Sequence, residues 1–394
     1  MAKAVNKKPY FRGSRLRGGR NRGPNGNGAG DFGNFDMPMF PPVRGVYDYS
    51  LDKANLQGTK NTTDPAFEKE IMDRAANLTP PQEIRDKLRE FGEKVIKALE
   101  LEKTEKTLED VGVESVAHVG SFVMDTCTHA SDKSDVVVQI NTLPSFETVA
   151  ALGKKVVENM KKADPKDTSV SLPQKYGVNI MSPKGKVRIL VTIKPTDADK
   201  LEPGLHLDSR VLMFNCFAVR HSNWFQDVKK KMSADFLLEF RALVRVLKAA
   251  RARFHDFQHL SVWSVQYLAF YCLLNGPNRQ KLSLGTAFRR FFEIIAAGML
   301  LPKAPVIIDP TSPQHRIGFD MTLAQMDALC MGAQTIVRIF ATGNDGYRAI
   351  LGTHGSPADL TQTTTTWKGV EIRPSVKAFK EGCMDPGYGK TVAV

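Results

Sequence analysis

The chain has 394 residues, of which 42% are hydrophobic and 25% are charged, a composition typical of a soluble globular protein. No run of ~20 apolar residues is free of charge, which argues against a membrane span, and the basic N-terminus has no apolar signal core. The five cysteines form no Cys-x-x-Cys pair, so we predict neither a disulfide framework nor a zinc site. A net charge of +13 favours an acidic polymer as partner.

The first 45 residues form a segment of low complexity that is rich in Arg and Gly. Residues 1–44 carry nine Lys and Arg against two Asp, so +7 of the net charge lies in this segment. Such a composition cannot bury enough apolar surface to become ordered, and we predict a disordered arm over residues 1–45. Arginine pairs with phosphates and stacks on bases, so we expect the arm to contact RNA; a solvated tail with weak RNA affinity is the alternative. The predicted RNA contacts are Arg12, Arg15, Arg17, Arg20 and Arg22.

Residues 46–204 combine helical and strand patterns, which predicts a mixed α/β lobe. Its first helix is expected to use Thr79 as N-cap, with proline in the first turn. The predicted elements, in chain order, are a helix over 80–101, a buried strand over 135–140, a helix over 146–160, and strands over 176–182 and 186–193.

Beyond residue 204 the apolar residues recur at helical spacing, which predicts an α-helical lobe over residues 205–375 and a flexible tail over 376–394. The fold class is therefore α+β, a mixed α/β lobe followed by a helical lobe. Two of the helices are apolar on most sides and are expected to form core or interface, so the dimerisation surface is assigned to this lobe. The predicted helices span 208–222, 235–253, 261–275, 284–301 and 322–341.

One stretch, residues 118–140, carries the chemistry of the first lobe. Gly120 and Ser121 form a turn that can present N–H groups and a hydroxyl to a phosphate. Asp135 then opens the strand, and an acid at a strand start can hold a divalent metal that bridges phosphates. On these residues alone, a structural turn and an ordinary strand edge are the favoured interpretation.

The spacing of this stretch resembles the signature of the nucleotidyltransferase superfamily: an apolar residue, Gly-Ser, about a dozen residues, then Asp-apolar-acid-apolar. The chain departs from the signature at Val137, which stands where the second acid belongs. The third acid belongs on a nearby strand, but the strand over 186–193 has none, and Asp208 is the nearest fallback. Two-metal phosphoryl transfer needs carboxylates that hold both cations. The resemblance therefore implies a nucleotidyltransferase fold that has lost its chemistry.

Eight stretches within residues 45–375, two of them inside residues 118–140, resemble the DZF family, which includes interleukin enhancer-binding factors 2 and 3. No C2H2 finger pattern or clear double-stranded-RNA-binding domain accompanies them. One departure is that the chain ends in PGYGKTVAV, where interleukin enhancer-binding factor 2 usually has an acidic tail. The stretches are VGSF (119–122), SDVVV (134–138), ETVAALGKKVVE (147–158), LHLDSRVL (205–212), AVRHSNWF (218–225), LVRVLKAARARF (243–254), AAGMLLP (296–302) and MTLAQMD (321–327).

The DZF resemblance implies a retained nucleotide pocket without catalysis. It would take a nucleoside triphosphate with Mg²⁺, although neither is required, and Asp135 would hold a single Mg²⁺ through the nucleotide. The nucleotide-binding residues it implies are Gly120, Ser121, Asp135, Arg220, His221 and Lys248.

The resemblance also implies partners and a location. The chain would heterodimerise with a DZF protein of the interleukin enhancer-binding factor 3 type, which carries double-stranded-RNA-binding domains. The complex would bind double-stranded or structured RNA, with DNA left open, and would act in transcription and RNA regulation in the nucleus, with shuttling to the cytoplasm left open. Two alternatives remain: an active template-independent nucleotidyltransferase of the oligoadenylate-synthetase type, and a stand-alone RNA-binding protein that uses only the arm.

Overall fold

The structure is a computed structural model, and it describes most of the chain between residues 64 and 353. The predicted arm with its five arginines and the predicted tail lie outside the described residues. All described residues belong to one compact unit. The described ranges are 64–106, 108, 111–129, 133–274, 276, 280–302, 304, 306–340, 344–353, 365–367 and 370–372.

A five-stranded mixed sheet organises the first half of the described chain. Its strands are β1 (Val113–Val119), β2 (Lys133–Ile140), β3 (Val170–Gln174), β4 (Gly177–Ser182) and β5 (Gly185–Thr192). They lie in the order β1-β2-β5-β4-β3. β2 and β5 are parallel, and each other neighbouring pair is antiparallel.

Helices flank this sheet and make up most of the second half. In the first half they are α1 (Pro65–Leu78), α2 (Gln82–Glu105), the single turn α3 (Gly120–Val123) and α4 (Phe146–Ala163). In the second half they are α5 (Ser209–Lys231), α6 (Ala234–Arg253), α7 (Val262–Leu274), α8 (Leu284–Ala296), α9 (Leu323–Phe340) and α10 (Asn344–Leu351). The described chain also has two 3₁₀ helices, Pro195–Lys200 and Asp256–His259, and two small hairpins, β6 (Ile308–Asp309) with β7 (Ser312–Arg316) and β8 (Thr365–Trp367) with β9 (Val370–Ile372).

The two faces of the sheet have different surroundings, because successive side chains of a strand point to opposite faces. Val136 and Val138 of β2 are fully buried in a core shared with α2 and α4. Val137, between them, lies on the other face in a small cluster with Val119 and Leu190, covered by α5. Asp135 is on this second face as well, so the strand presents it toward the helical half.

A separate core of aromatic and aliphatic side chains joins the helices of the second half. α7 and α8 are buried on nearly every side within it. The sequence predicts that these two helices form either core or interface, and the structure places them in the core. α1 also enters this core through Ile71, Ala75 and Leu78, although it precedes the sheet in the chain. The helical half is therefore assembled from both ends of the described chain.

The fold class predicted from sequence, a mixed α/β lobe with a helical lobe, is confirmed. Several elements differ in detail: α5 extends nine residues beyond its predicted end, α8 is shorter, and α1, β1 and β3 are not predicted from sequence. A capping box begins α9, because Thr322 and Gln325 exchange hydrogen bonds between backbone and side chain. The cap of α2 was predicted wrongly: Pro81 is its N-cap, and Thr79 instead ends α1. None of the helices in the described part of the chain combines the length and hydropathy that a bilayer crossing requires.

Candidate functional site

A cleft of about 440 Å³ opens between the second face of the sheet and the helical half. α5 lies over the sheet through Ala218 and Val219, and the cleft continues beside them toward α6 and α7. The structure brings together five of the six nucleotide-binding residues predicted from sequence. The residues that line the cleft are Gly120, Ser121, Met124, Thr128, Lys133, Asp135, Arg188, Ala218, His221, Lys248, Arg251, Val262, Trp263 and Gln266.

Arg220 is the predicted residue that does not line the cleft. Its guanidinium lies over the ring of Phe217, 5.3 Å from the ring centroid. Neighbouring residues of a helix are about 100° apart around its axis, so His221 faces the cleft and Arg220 points elsewhere.

The Gly120–Ser121 turn sits directly against the strand carboxylate. Gly120 has φ +82°, in the left-handed region that favours glycine. A Cβ at this position would lie 2.9 Å from Oδ2 of Asp135. The N–H of Gly120 donates to the hydroxyl of Ser222 on α5, at 3.3 Å. The turn is therefore held between β2 and α5, and only glycine fits both its backbone angle and its neighbour.

Lys248 reaches this turn from α6. Its Nζ donates to Oγ of Ser121 at 3.1 Å and to the carbonyl of Thr126 at 2.8 Å. Burial lowers the pKa of the Lys248 ammonium to about 8, because desolvation disfavours its charge. At neutral pH the group is still mostly protonated, and its third N–H is left to face a ligand in the cleft.

Three arginines hold the loop that follows the Gly120–Ser121 turn. Asp125 has φ +52°, unusual for a residue other than glycine. Arg245 of α6 donates to the carbonyl of Asp125 at 2.6 Å, to its carboxylate at 3.0 Å and to the carbonyl of Cys127 at 3.2 Å. Arg85 and Arg241 also pair with the Asp125 carboxylate. Sequence reasoning missed this network, since its members lie far apart in the chain.

Asp135, the predicted metal ligand, is occupied by a cation of the protein itself. In the parallel register of β2 and β5, Asp135 is opposite Arg188. Nε of Arg188 donates to Oδ1 at 2.6 Å, and a terminal nitrogen donates to Oδ2 at 2.8 Å. Burial alone would lower the pKa of the guanidinium, but the carboxylate outweighs it and raises that pKa above its ordinary value. The pair has the bidentate geometry of a strong charge-assisted contact.

The residues of this cleft do not fit a resident magnesium ion. Both oxygens of Asp135 are used by Arg188, and Val137, where the second acid belongs, is packed in an apolar cluster. Asp208 cannot replace the third acid, because it caps α5 by accepting from the backbone N–H of Arg210. It lies 14 residues, or about 20 Å of helix, from the turn contact at Ser222. Over the described ranges, no group of three or more His, Cys, Asp or Glu could hold a metal ion.

His221 and Trp263 form an aromatic wall of the cleft. Their rings stack with centroids 3.9 Å apart and planes 7° from parallel. Trp263 donates its indole N–H to Asp309 at 2.7 Å, which fixes the wall. Burial lowers the pKa of His221 to about 4, so the ring is neutral at physiological pH. The wall therefore offers a planar apolar surface rather than a charge.

The charge of the cleft is strongly positive. Of the described side chains that line it, four are cations and one is an acid, so their formal charge is +3. Two cations, Lys248 and Arg251, come from α6, while Lys133 and Arg188 come from the sheet. Such a concave cationic site favours an anion with several charges, and the adjoining aromatic wall favours a planar group beside it.

Comparison with known proteins identifies the fold that carries this cleft. The DZF N-terminal domain matches residues 30–230 and the DZF C-terminal domain matches residues 239–373. The chain belongs to the DZF family. The two DZF parts meet near the turn between α5 and α6, so the cleft takes Ser121 and Asp135 from the N-terminal part and Lys248 from the C-terminal part.

Solved structures resemble the DZF chain at low identity. A chain of the CdnC:HORMA-deltaN complex from E. coli MS115-1 aligns with a TM-score of 0.50 and 17% identity, over 72% of this chain and 94% of that chain. A cytoplasmic RNA terminal U-transferase aligns with a TM-score of 0.48 and 11% identity, over 73% of this chain and 98% of that chain. Cid1 in complex with the UTP analog UMPNPP aligns with a TM-score of 0.47 and 10% identity, over 70% of this chain and 93% of that chain. The likeness concerns the fold, which is nucleotidyltransferase-like.

Proposed function

We propose that this DZF chain is a catalytically inactive, nucleotidyltransferase-fold subunit of a nuclear RNA-binding heterodimer. It would bind a nucleotide in the cleft and stabilise a DZF partner that carries double-stranded-RNA-binding domains. Its role would lie in transcription and post-transcriptional regulation of RNA. Within the family the chain most resembles interleukin enhancer-binding factor 2, because its sequence places an Arg-Gly arm before the DZF domain and has no finger pattern.

The pairing of Asp135 with Arg188 is the observation that carries the inactive assignment. Transfer of a nucleotidyl group in this fold depends on carboxylates that hold two cations and position the attacking oxygen. Here one acid position holds Val137 and the remaining carboxylate is neutralised by a guanidinium. A cation would have to displace Arg188 to reach the single carboxylate.

The retained polar contacts support nucleotide binding without transfer. The Gly120–Ser121 turn has the left-handed backbone angle that glycine allows, and Lys248 is held against it while largely desolvated. A turn with no ligand to bind would not need a buried lysine aimed at its hydroxyl, since burying an ammonium costs free energy. The aromatic wall of His221 and Trp263 would accommodate the base.

An active transferase of the oligoadenylate-synthetase type is the competing function. The nucleotidyltransferase-like fold of the chain favours this function. The donor set of this cleft argues against it for the reason given above. A stand-alone RNA-binding protein that uses only the arm is a further alternative, and the positively charged cleft argues for a second, folded anion site.

Two measurements on the full chain test the proposal. Light scattering gives the mass of the chain alone and mixed with a DZF protein that has double-stranded-RNA-binding domains; we expect a one-to-one complex. Extension of a labelled RNA primer with ATP or UTP and Mg²⁺ or Mn²⁺ tests transfer, with an active terminal U-transferase in parallel; we expect no product above the protein-free control. A monomer indifferent to the partner would refute the scaffold, and primer extension would refute the inactive assignment.

A further inference from the structure

Arg188 stands beside Asp135, where a catalytic cleft of this fold would hold a divalent cation. We infer that the cleft binds the polyphosphate of a nucleotide without a divalent metal, with the Arg188 guanidinium supplying the positive charge that a metal ion would supply. This inference rests on the proposed function, because it concerns how the nucleotide of that same cleft is held.

The geometry of the pair makes Arg188 a fixed cation rather than a mobile one. Asp135 accepts from two nitrogens of the guanidinium, so the plane of the group is set by β2 and β5 together. The same guanidinium carbon lies 5.5 Å from the ring centroid of Tyr176. A guanidinium has five N–H donors in a planar fork, and two of them account for the bonds to Asp135. The fork is thus pre-oriented for a phosphate, which arginine binds in bidentate fashion.

The other cations of the cleft give the same preference. Lys133, Lys248 and Arg251 line it together with Arg188, against the single carboxylate of Asp135. A chelated Mg²⁺ cancels two negative charges of a polyphosphate. A site with an excess of positive charge and no open carboxylate therefore binds the metal-free anion with a more favourable free energy than its magnesium complex. We therefore expect Mg²⁺ to weaken binding by withdrawing the free nucleotide.

Titrations of the full chain with ATP and with inorganic tripolyphosphate test the inference, in EDTA and again in excess MgCl₂. We expect both probes to bind in EDTA and Mg²⁺ to weaken each affinity severalfold. Arg188→Gln should lower the affinity in EDTA about tenfold or more, because it removes a charged donor to phosphate. Since it also releases the Asp135 carboxylate, Mg²⁺ should now strengthen binding to this variant. The reversal in the sign of the metal effect is a readout that a merely structural role of Arg188 would not produce.

Lys154→Gln is the matched control. Lys154 is exposed on α4, which covers the opposite face of the sheet, so the variant loses one charge far from the cleft and should bind as wild type does. Equal losses in both variants would overturn the inference, because binding would then reflect net charge alone. Binding of wild type that requires Mg²⁺ would overturn the inference and leave nucleotide binding intact. No binding in either buffer would overturn both it and the nucleotide-binding part of the proposed function.

Discussion

Lys248 predicts a measurable pH dependence of anion binding to the cleft. In the free protein, burial places the pKa of its ammonium at about 8. A polyphosphate beside it would stabilise the charged form and raise that pKa toward the ordinary value of ~10.4. The bound state then keeps a proton that the free state loses as pH rises. Affinity is therefore full below pH 8 and falls above it.

The size of the effect follows from the two pKa values. Between the free and bound pKa, each unit of pH lowers the affinity up to tenfold, which corresponds to ~1.36 kcal/mol. From pH 7 to pH 9 we expect a loss of about tenfold in affinity for ATP measured in EDTA. The terminal phosphate, with a second pKa near ~6, is already ionised across this range. His221, with a pKa of about 4, is already neutral.

Isothermal titration calorimetry in two buffers of different ionisation enthalpy measures both affinity and proton uptake. Lys248→Met should lower the affinity at pH 7 and remove most of the slope between pH 7 and 9. The other titratable or charged groups near the ammonium are Cys127, Arg245, Lys133 and Arg251. Burial raises the pKa of the Cys127 thiol, which moves its titration away from this window. A wild-type affinity that stays flat from pH 7 to 9, or an unchanged slope in the variant, would refute the reasoning.

Two further predictions concern the turn and its clamp. Gly120→Ala should destabilise the chain by about 2 kcal/mol, against about 1 kcal/mol for Gly204→Ala, which has a similar φ of +85° but open space around its Cβ. Urea denaturation gives both values, and equal costs would show that the contact with the strand carboxylate does not matter. Arg245→Met should cost about 2–3 kcal/mol, because it leaves the carbonyls of Asp125 and Cys127 without this donor and removes one of the three arginines paired with the Asp125 carboxylate. Lys230→Met breaks an exposed ion pair and should cost under ~0.5 kcal/mol; a comparable loss in both variants would contradict the assigned role of the clamp.

Local signals account for the parts of the site that the sequence predicts well. The β-branched run after Asp135 and the Gly-Ser turn before it place the turn and the strand carboxylate at one cleft, as the structure has them. Lys248 and His221 came from the DZF resemblance, and their side chains line the same cleft. Their binding of a nucleotide stays a prediction. Arg220 was carried over with His221 because a linear motif does not say which neighbour faces inward.

The sequence does not predict Arg188 as the partner of Asp135, although Arg188 lies in the predicted strand over 186–193 that has no acid. Its partner is 53 positions away and is set by the parallel register of two strands, which a sequence pattern does not reveal. α1 is a different kind of omission. Asp64 caps it and Pro65 is its first residue, an N-terminal signal that the sequence displays. The sequence does not show that the apolar side chains of α1 pack against helices much later in the chain.

The bond between Asp135 and Arg188 also bears on how easily transfer chemistry could be installed in this cleft. An acid placed at Val137 alone would lose a close-packed apolar contact and would find the nearest guanidinium already engaged. Removal of Arg188 alone would leave one carboxylate, too few ligands for two metal ions. Each single step is unfavourable, and only a combined change at both positions would begin a metal site. The proposed loss of activity would in this sense be a one-way step in sequence space, protected against reversal by the salt bridge between Asp135 and Arg188.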